Sequence, residues 1–233
     1  MANRVWMRRF AKWHIWLGWL VGVPIVMWMV TGLVMVSKPI EEVRGNHLRR
    51  EVEQPALPAN TDIAVSLSDR GAKPVRSVTT AMQDGQPVTT FEYMDGSMDR
   101  FGADDGQLPL VSEAQARQIV ADQIVGNPKI VSTIRFGKDK VPFDFRRPMP
   151  VWQVALEDGS HIYIGEQTGK IEAVRTRWWR VFDFMWGLHI MDLQTREDSS
   201  HPILILFAAL GVIGSVLGCI LMFRRRKARV RAG

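Results

Sequence analysis

Histidine is the residue type in this sequence that is best able to bind a cofactor, and it occurs five times. His14 lies beside Trp13 near one end of the chain, and His189 lies in the apolar, aromatic-rich stretch Met185–Asp192 near the other. Imidazole is a common metal ligand. A histidine beside tryptophans at a membrane edge is, however, ordinarily an anchor in the interface. The chemistry of these residues therefore depends on where a membrane lies.

Other chemical motifs are missing from the sequence. It has no glycine-rich phosphate loop, no Gly-x-Ser-x-Gly, no His-Glu-x-x-His and no paired cysteines. The single cysteine, Cys219, lies in an apolar run, so the central part of the chain can have neither a disulfide nor a cysteine metal site. No flavin or nicotinamide site is recognisable either.

Two uncharged apolar runs are long enough to cross a bilayer. The first, residues 13–36, would span ~36 Å as a helix, and the second, residues 202–223, has nearly the same reach. The sequence predicts transmembrane helices over 13–36 and 201–223. The first is predicted to be an uncleaved anchor, because it is longer than a signal-peptide core and no small-x-small cleavage site follows it.

The charges beside these runs predict the orientation. Residues 1–12 and 224–233 hold ten arginines and lysines and no acid, which leaves a net charge of −4 on the rest of a chain whose total is +6. By the positive-inside rule both termini are cytoplasmic. The central domain then lies outside, in the periplasm of a Gram-negative bacterium. The high pI is a topology signal and does not indicate nucleic-acid binding.

The outer segment contains an internal repeat. A shift of 63 positions aligns Asp95-Gly96-Ser97 with Asp158-Gly159-Ser160, and it also aligns Gly102 with Gly165 and Gly106 with Gly169. The second copy predicts a helix capped by Ser112, followed by four strands over 130–136, 151–156, 161–164 and 171–174. The first copy predicts a helix from Thr61 to about Arg70 and three strands over 75–80, 88–93 and 98–101. Each unit is a helix on a small antiparallel sheet, so the predicted fold class is α+β.

These features resemble a known family. The order of Ser-Glu-x-x-Ala helix, Pro-x-Trp-x-Val strand, Asp-Gly turn, aromatic strand and Thr-Gly-Lys turn resembles a PepSY domain. His14-x-Trp16-Leu17-Gly18 with Thr31-Gly32, and Arg177-Trp178-Trp179 with Leu188-His189, are similar to the helical parts of PepSY-associated transmembrane proteins. The resemblance implies tandem PepSY-like units between two transmembrane helices. The predicted segments are 1–12 cytoplasmic, 13–36 transmembrane, 37–110 degenerate PepSY-like unit, 111–176 PepSY domain, 177–200 interfacial aromatic helix and loop, 201–223 transmembrane and 224–233 cytoplasmic.

The resemblance also implies a cofactor. Larger members have more helices, are associated with bacterial iron uptake, and in some cases carry haem between helix histidines. It makes His14, His189 and His201 candidate ligands of a haem b, with His14 and His189 as the first candidates for its iron. Each also has a plainer interpretation: His14 and His189 as interfacial or core residues, and His201 as a helix-entry residue before Pro202. His47 and His161 are expected at solvated loop and strand positions.

Depth limits how these histidines can pair. His14 and the outer end of its helix are ~33 Å apart, so His14 cannot share a haem with His189 or His201 of the same chain. Within one chain only His189 with His201 is compatible by depth. A homodimer could instead pair each histidine with its counterpart, and Gly18-x₃-Gly22 and Gly214-x₃-Gly218 would allow close helix packing. The same spacing equally suits the two helices of one chain.

Three functional hypotheses follow for an inner-membrane protein of this kind. The first is a haem-binding or accessory subunit of a membrane redox or siderophore-iron system, with another subunit supplying or receiving electrons. The second is a non-catalytic binding or regulatory module, since PepSY domains resemble parts of protease propeptides. The third is a structural subunit of a larger membrane complex. All three favour an accessory role over a complete enzyme, with the lipid bilayer and either a second copy or complex subunits as partners.

Overall fold

The computed structural model describes residues 2–50, 55–59, 73–104 and 106–230. The chain divides into two compact units. One combines Met1–Pro39 with Val181–Gly233, and the other is Ile40–Arg180. The two long apolar helices therefore belong to one unit, and the central sheets belong to the other.

Three helices build the first unit. Helix α1 spans Ala2–Val36, helix α5 spans Pro202–Val230, and the part of helix α4 (Arg177–His189) from residue 181 onward also belongs here. Both long helices continue past their apolar runs into the basic ends of the chain. Large apolar side chains cover the outside of α1, with Trp16 75% and Trp19 81% exposed. Such a surface is suited to lipid rather than to water.

Small residues of α5 let it pack closely against α1. A Cβ added at Gly214, which is buried, would lie 3.9 Å from Cβ of Leu17. Gly18 and Gly22 have the same small-xxx-small spacing on α1, but an added Cβ there would meet no atom of the described chain within 4 Å. The seam between the two helices therefore uses the glycines of α5, while those of α1 lie away from it.

The second unit begins with two short helical segments and a three-stranded antiparallel sheet. Helix α2 spans Ile40–Val43, and a 3₁₀ turn spans Asn46–Leu48. Strands β1 (Val75–Gln83), β2 (Gln86–Tyr93) and β3 (Met98–Phe101) pair in the order β1-β2-β3. Phe91, Tyr93 and Phe101 form the core of this sheet.

A four-stranded antiparallel sheet and helix α3 complete this unit. Helix α3 spans Glu113–Gln123. Strands β4 (Ile130–Phe136), β5 (Val151–Leu156), β6 (His161–Gly165) and β7 (Ile171–Arg175) pair in chain order. Helix α3 begins at a capping box, in which the Ser112 hydroxyl accepts from the Gln115 N–H and the Gln115 side chain accepts from the Ser112 N–H.

The two faces of the larger sheet are covered differently. Ala116 and Val120 of α3 pack on one face, against a core that includes Val154, Ile162 and Val174. Residues 137–150, which connect β4 to β5, fold back over the other face. There Phe145 stacks on Tyr163 with ring centroids 4.8 Å apart, next to Val151 and Ala173.

The two aligned Asp-Gly-Ser turns have the same geometry. Ser97 N–H donates to the Asp95 carboxylate at 2.9 Å, and Ser160 N–H donates to the Asp158 carboxylate at 2.8 Å. Gly96 and Gly159 have φ of 78° and 79°, a left-handed conformation that favours glycine. Both turns join antiparallel neighbours, β2 to β3 and β5 to β6.

The α+β fold class and the flanking apolar helices are confirmed. All seven strands of the described residues lie at the predicted positions, with ends that differ by up to three residues, and the aromatic helix expected within 177–200 is present as α4. The helix expected from Thr61 to Arg70 lies outside the described residues.

Candidate functional site

His14 of α1 fits into a notch on α5. Its Nδ1 lies 3.1 Å from the carbonyl oxygen of Gly214. A carbonyl oxygen can only accept, so Nδ1 carries the proton and donates it. A Cβ added at Gly218 would lie 2.9 Å from Cε1 of the ring. The imidazole therefore fills space that exists because residue 218 is glycine.

His189, the last residue of α4, bonds to α1. Its Nδ1 lies 2.9 Å from Oγ1 of Thr31, which is buried and donates its own proton to the carbonyl oxygen of Met27 at 2.7 Å. The Thr31 oxygen therefore accepts the proton on Nδ1 of His189. Both His14 and His189 thus use Nδ1 within the chain, and neither Nε2 has a hydrogen-bond partner among the described residues.

The backbone of His189 is held by a second side chain of α1. Trp28 Nε1–H donates to the His189 carbonyl oxygen at 2.8 Å. Carbonyls in the last turn of a helix lack intrahelical donors, so the indole stabilises the end of α4. Thr31-Gly32 belongs to the sequence motif described above. Neither Thr31 nor Trp28 was predicted to be a partner of His189. No local pattern reveals such pairs, because they depend on which helix faces meet.

His201 stands just before α5. Its carbonyl oxygen accepts from Ile205 N–H at 3.2 Å, as expected for a residue at a helix start. Its Nδ1 is buried and has no hydrogen-bond partner within the described part of the chain. His47 lies in the 3₁₀ turn and is exposed.

The contacts of His14 and His189 bear on the expected haem. On α1, His14 and the His189 partner Thr31 are seventeen positions apart, which is ~26 Å along a helix. A haem with two histidine ligands needs both at one depth, so this pair does not fit one within a single chain.

The loop after α4 is organised around a buried carboxylate. Asp192 accepts from the backbone N–H groups of Gln194, Thr195, Glu197 and Asp198 and from the Thr195 hydroxyl. The bonds from the Thr195 hydroxyl and N–H are the main reason why the pKa of Asp192 lies well below its ordinary value. This carboxylate holds the connection between α4 and α5 in one conformation.

A second buried carboxylate fixes the same connection to α4. Asp183 of α4 is 5% exposed and pairs with Arg196. The Arg196 carbonyl oxygen accepts from Trp186 Nε1–H at 3.0 Å. Asp183 was not predicted as a functional residue, although it is the single acid within this aromatic helix, a signal that could have identified it.

A polar cluster lies in the other unit, beneath residues 137–150. Tyr163 OH donates to Oδ1 of Asp144 at 2.5 Å, and Nδ1 of His161 lies 3.2 Å from Oδ2 of the same carboxylate. Gln153 Nε2 donates to Tyr163 OH at 2.5 Å. His161, expected at a solvated strand position, is instead half-buried and part of this network.

The cluster shifts the acidities of its members. Burial raises the pKa of Asp144, but the bonds from His161 and Tyr163 outweigh burial, so the net pKa is below the ordinary value. Burial, assisted by the bond to Asp144, raises the pKa of Tyr163 well above its ordinary value. Tyr163 is therefore a neutral hydrogen-bond donor and Asp144 a charged acceptor near neutral pH, an arrangement that fixes residues 137–150 on the sheet.

No group of three or more histidine, cysteine, aspartate or glutamate side chains in the described ranges is placed to hold a metal ion. His14 joins α1 to α5 and His189 joins α4 to α1, whereas His201 stands at the start of α5.

Two comparisons find no similar protein and a third identifies the family. No curated protein and no solved structure matches the chain. A family model described as "PepSY-associated TM region" matches residues 11–233. Among the described residues, two helices are long and apolar enough to cross a membrane, Val5–Val36 and Pro202–Phe223, and the match includes the second and all of the first from residue 11 onward. The chain is a membrane protein in contact with the lipid bilayer, and it belongs to the family of PepSY-associated TM regions.

Proposed function

We propose that this protein is a non-catalytic accessory subunit of the bacterial inner membrane, which anchors its α+β domain in the periplasm for a partner to bind. The observation that carries the proposal is that His14 and His189 are both hydrogen-bonded to helices of their own chain. In this function they join the helices of the anchor, and recognition is left to residues 40–180.

The domain offers a surface suited to recognition. Strand β4 is an edge of the larger sheet, and its Val131 is 68% and its Ile134 47% exposed. An edge strand has backbone groups without a neighbouring strand, so an extended segment of another protein can pair with it. This supports a binding role, because an edge with exposed apolar side chains is a liability unless a partner covers it.

Site-specific photo-crosslinking in membranes would test this function. A crosslinker at Val131 should give a discrete crosslinked product, whereas one at Trp16, which is exposed on α1, should not. The product should persist in His14→Gln and His189→Gln, because these rings act only within the anchor. Absence of a product at Val131, or its loss in both histidine variants with the domain still folded, would contradict the proposal.

A second candidate is a haem b shared between this chain and another, within a redox or siderophore-iron system. The observation that favours it is the tautomer of His14 and His189. A histidine ligand of a metal ordinarily donates its second N–H to a carbonyl or another acceptor, and both rings do so while Nε2 stays without a protein partner. When bound, the haem would supply one-electron chemistry, and these residues would hold it through Nε2.

A visible absorption spectrum separates the two candidates. Protein expressed with haem supplementation and purified in mild detergent should show a Soret band if a haem is bound, and the band should be lost in His189→Ala. A spectrum with no Soret band would remove the haem candidate and leave the anchoring function untouched.

A further inference from the structure

Four arginines of the domain lie around strand β7 and form what is called here the arginine cluster: Arg49, Arg146, Arg147 and Arg175. Arg147 donates to the side chain and the carbonyl oxygen of Glu172 in β7, and Arg175 is the last residue of that strand. Gly45 approaches Val174 so closely that an added Cβ would lie 2.6 Å from its Cγ1, and this brings the segment that carries Arg49 beside β7.

The carboxylates near the cluster are already occupied. Glu172 accepts from Arg147 with one oxygen and from the Thr168 hydroxyl with the other. Asp144 accepts from Tyr163 with one oxygen and lies 3.2 Å from His161 with the other. None of these four oxygens bonds to Arg49 or Arg175, so neither of these two guanidinium groups is hydrogen-bonded to a carboxylate of the described residues.

Arg49 is the clearest case. Its side chain has no hydrogen-bond partner among the described residues, and its Nε is buried from solvent. Burial lowers the pKa of Arg49, as does the charge of Arg147, although Glu172 opposes both. A half-buried guanidinium without an acceptor is costly, because its five donors lose water and gain nothing. Such a group is suited to bind an acceptor supplied by a ligand.

Aromatic rings hold the other guanidinium groups in place. The Arg175 guanidinium carbon lies 4.1 Å from the Trp179 ring centroid, and that of Arg146 lies 4.5 Å from the Phe143 ring and 5.9 Å from Trp179. Arg175 uses Nε to donate to the Asp144 carbonyl oxygen, and its terminal nitrogens have no partner in the described ranges. Stacking orders the Arg175 guanidinium and leaves its terminal nitrogens available to an anion.

We propose that Arg49, Arg147 and Arg175 form a binding site for a phosphate group. A tetrahedral anion can accept from several guanidinium forks at once, and its negative charge complements the guanidinium groups of Arg49 and Arg175, which bond to neither the Glu172 nor the Asp144 side chain. The phosphate has two available sources: the headgroup of an anionic phospholipid, or free phosphate. The site is independent of the proposed accessory function, because it requires no protein partner and no haem.

The test uses the full chain in nanodiscs and follows amide hydrogen exchange of residues 45–50, 143–149 and 175–180. The nanodiscs contain phosphatidylcholine alone or phosphatidylcholine with phosphatidylglycerol, each with and without inorganic phosphate at constant ionic strength. Protection by phosphate in pure phosphatidylcholine would identify free phosphate as the ligand. Protection by phosphatidylglycerol without added phosphate would identify the lipid headgroup. Protection by neither would overturn the proposal.

Substitutions make the test specific to the cluster. Arg49→Gln removes a guanidinium that has no hydrogen-bond partner among the described residues, so the domain should stay folded. The apparent affinity for the phosphate ligand should fall about tenfold or more, the usual effect of losing a charged hydrogen bond. Arg49→Lys keeps the positive charge but lacks the planar guanidinium. Its apparent affinity for the ligand should therefore lie between those of the unsubstituted chain and Arg49→Gln. Arg76→Gln is the matched control, because Arg76 is exposed and pairs with Glu92 on the smaller sheet. An Arg49→Gln response equal to that of the unsubstituted chain would also overturn the proposal.

Discussion

At the scale of single residues, His14 and His189 each have a complementary partner on another helix of the same unit. His14 needs the absence of a side chain at Gly218, and His189 needs a hydroxyl at Thr31 whose proton is already donated elsewhere. Neither requirement is visible from the histidines themselves. Both follow from burying an imidazole in an apolar setting, where each polar atom that loses water needs a partner.

Gly218→Ala should destabilise the helix pair by about 1–3 kcal/mol, because the new Cβ would overlap the His14 ring and displace it from the Gly214 carbonyl oxygen. Thermal unfolding in detergent would measure the loss. Gly22→Ala is the matched control: no described atom lies near an added Cβ there, so the change should be neutral or stabilising. Equal losses of stability in Gly218→Ala and Gly22→Ala would refute the assigned contact between α1 and α5.

The bond between Thr31 and His189 should be measurable as a coupling energy. Thr31→Val, His189→Ala and the double variant form a cycle in which we expect a coupling of about 0.5–1.5 kcal/mol, typical of hydrogen bonds between membrane helices. Unfolding free energies in detergent give the four values. Strictly additive losses would mean that the two side chains do not interact in solution.

Tyr163→Phe should change how stability depends on alkaline pH. Burial raises the pKa of Tyr163 in the folded protein, so the stability it contributes is fully present below the ordinary tyrosine pKa of about 10 and is lost as pH rises towards the folded value. Between these values the unsubstituted chain should lose up to about 1.4 kcal/mol per pH unit more than the Phe variant. Denaturation at a series of alkaline pH values tests this. Tyr93 is present in both proteins, so its titration does not distinguish them. Parallel curves of stability against pH would therefore rule out the raised pKa of Tyr163.

At the scale of elements, a helix or strand could be predicted when the sequence pattern that specifies it lies within a few neighbouring positions. The strands and α3 follow from alternation, turn residues and the Ser112 cap, all readable within a few positions. Residues 137–150 were not assigned, because this charged, proline-containing segment has no periodicity, and its place depends on Asp144 and Phe145 reaching Tyr163. The contacts of His14 and His189 could not be predicted for the same reason: they join residues more than 150 positions apart.

Ser112→Ala should destabilise the domain by about 1 kcal/mol, since it removes the acceptor for the first turn of α3. Exchange of the amides at residues 113–116 would show where the helix loosens. Ser112→Asp should restore most of the loss, because aspartate is an equally good N-cap. If Ser112→Ala were silent, the capping box would not stabilise the domain.

At the scale of the whole molecule, the proposed topology puts both basic ends on one side of the membrane. The connection between α4 and α5, which includes the exposed Ser200, would be on the other. This arrangement follows from the distribution of arginine and lysine around the two apolar helices.

Single-cysteine labelling would test the topology. In a Cys219→Ser background, Ser200→Cys should react with a membrane-impermeant maleimide added to intact spheroplasts, whereas Ala2→Cys should react only after lysis. The reverse pattern would invert the orientation and place the domain in the cytoplasm.

The strand order of the domain has a consequence for how the chain folds during synthesis. Both sheets are meanders in which every strand pairs with the next one along the chain. Each hairpin can therefore close as soon as its second strand is made, without waiting for a distant segment, and such short-range pairing favours rapid folding. All seven strands precede α5 in the chain. The domain can thus finish its sheets while the last helix is still being synthesised, and α5 then meets α1 as the final partner to arrive.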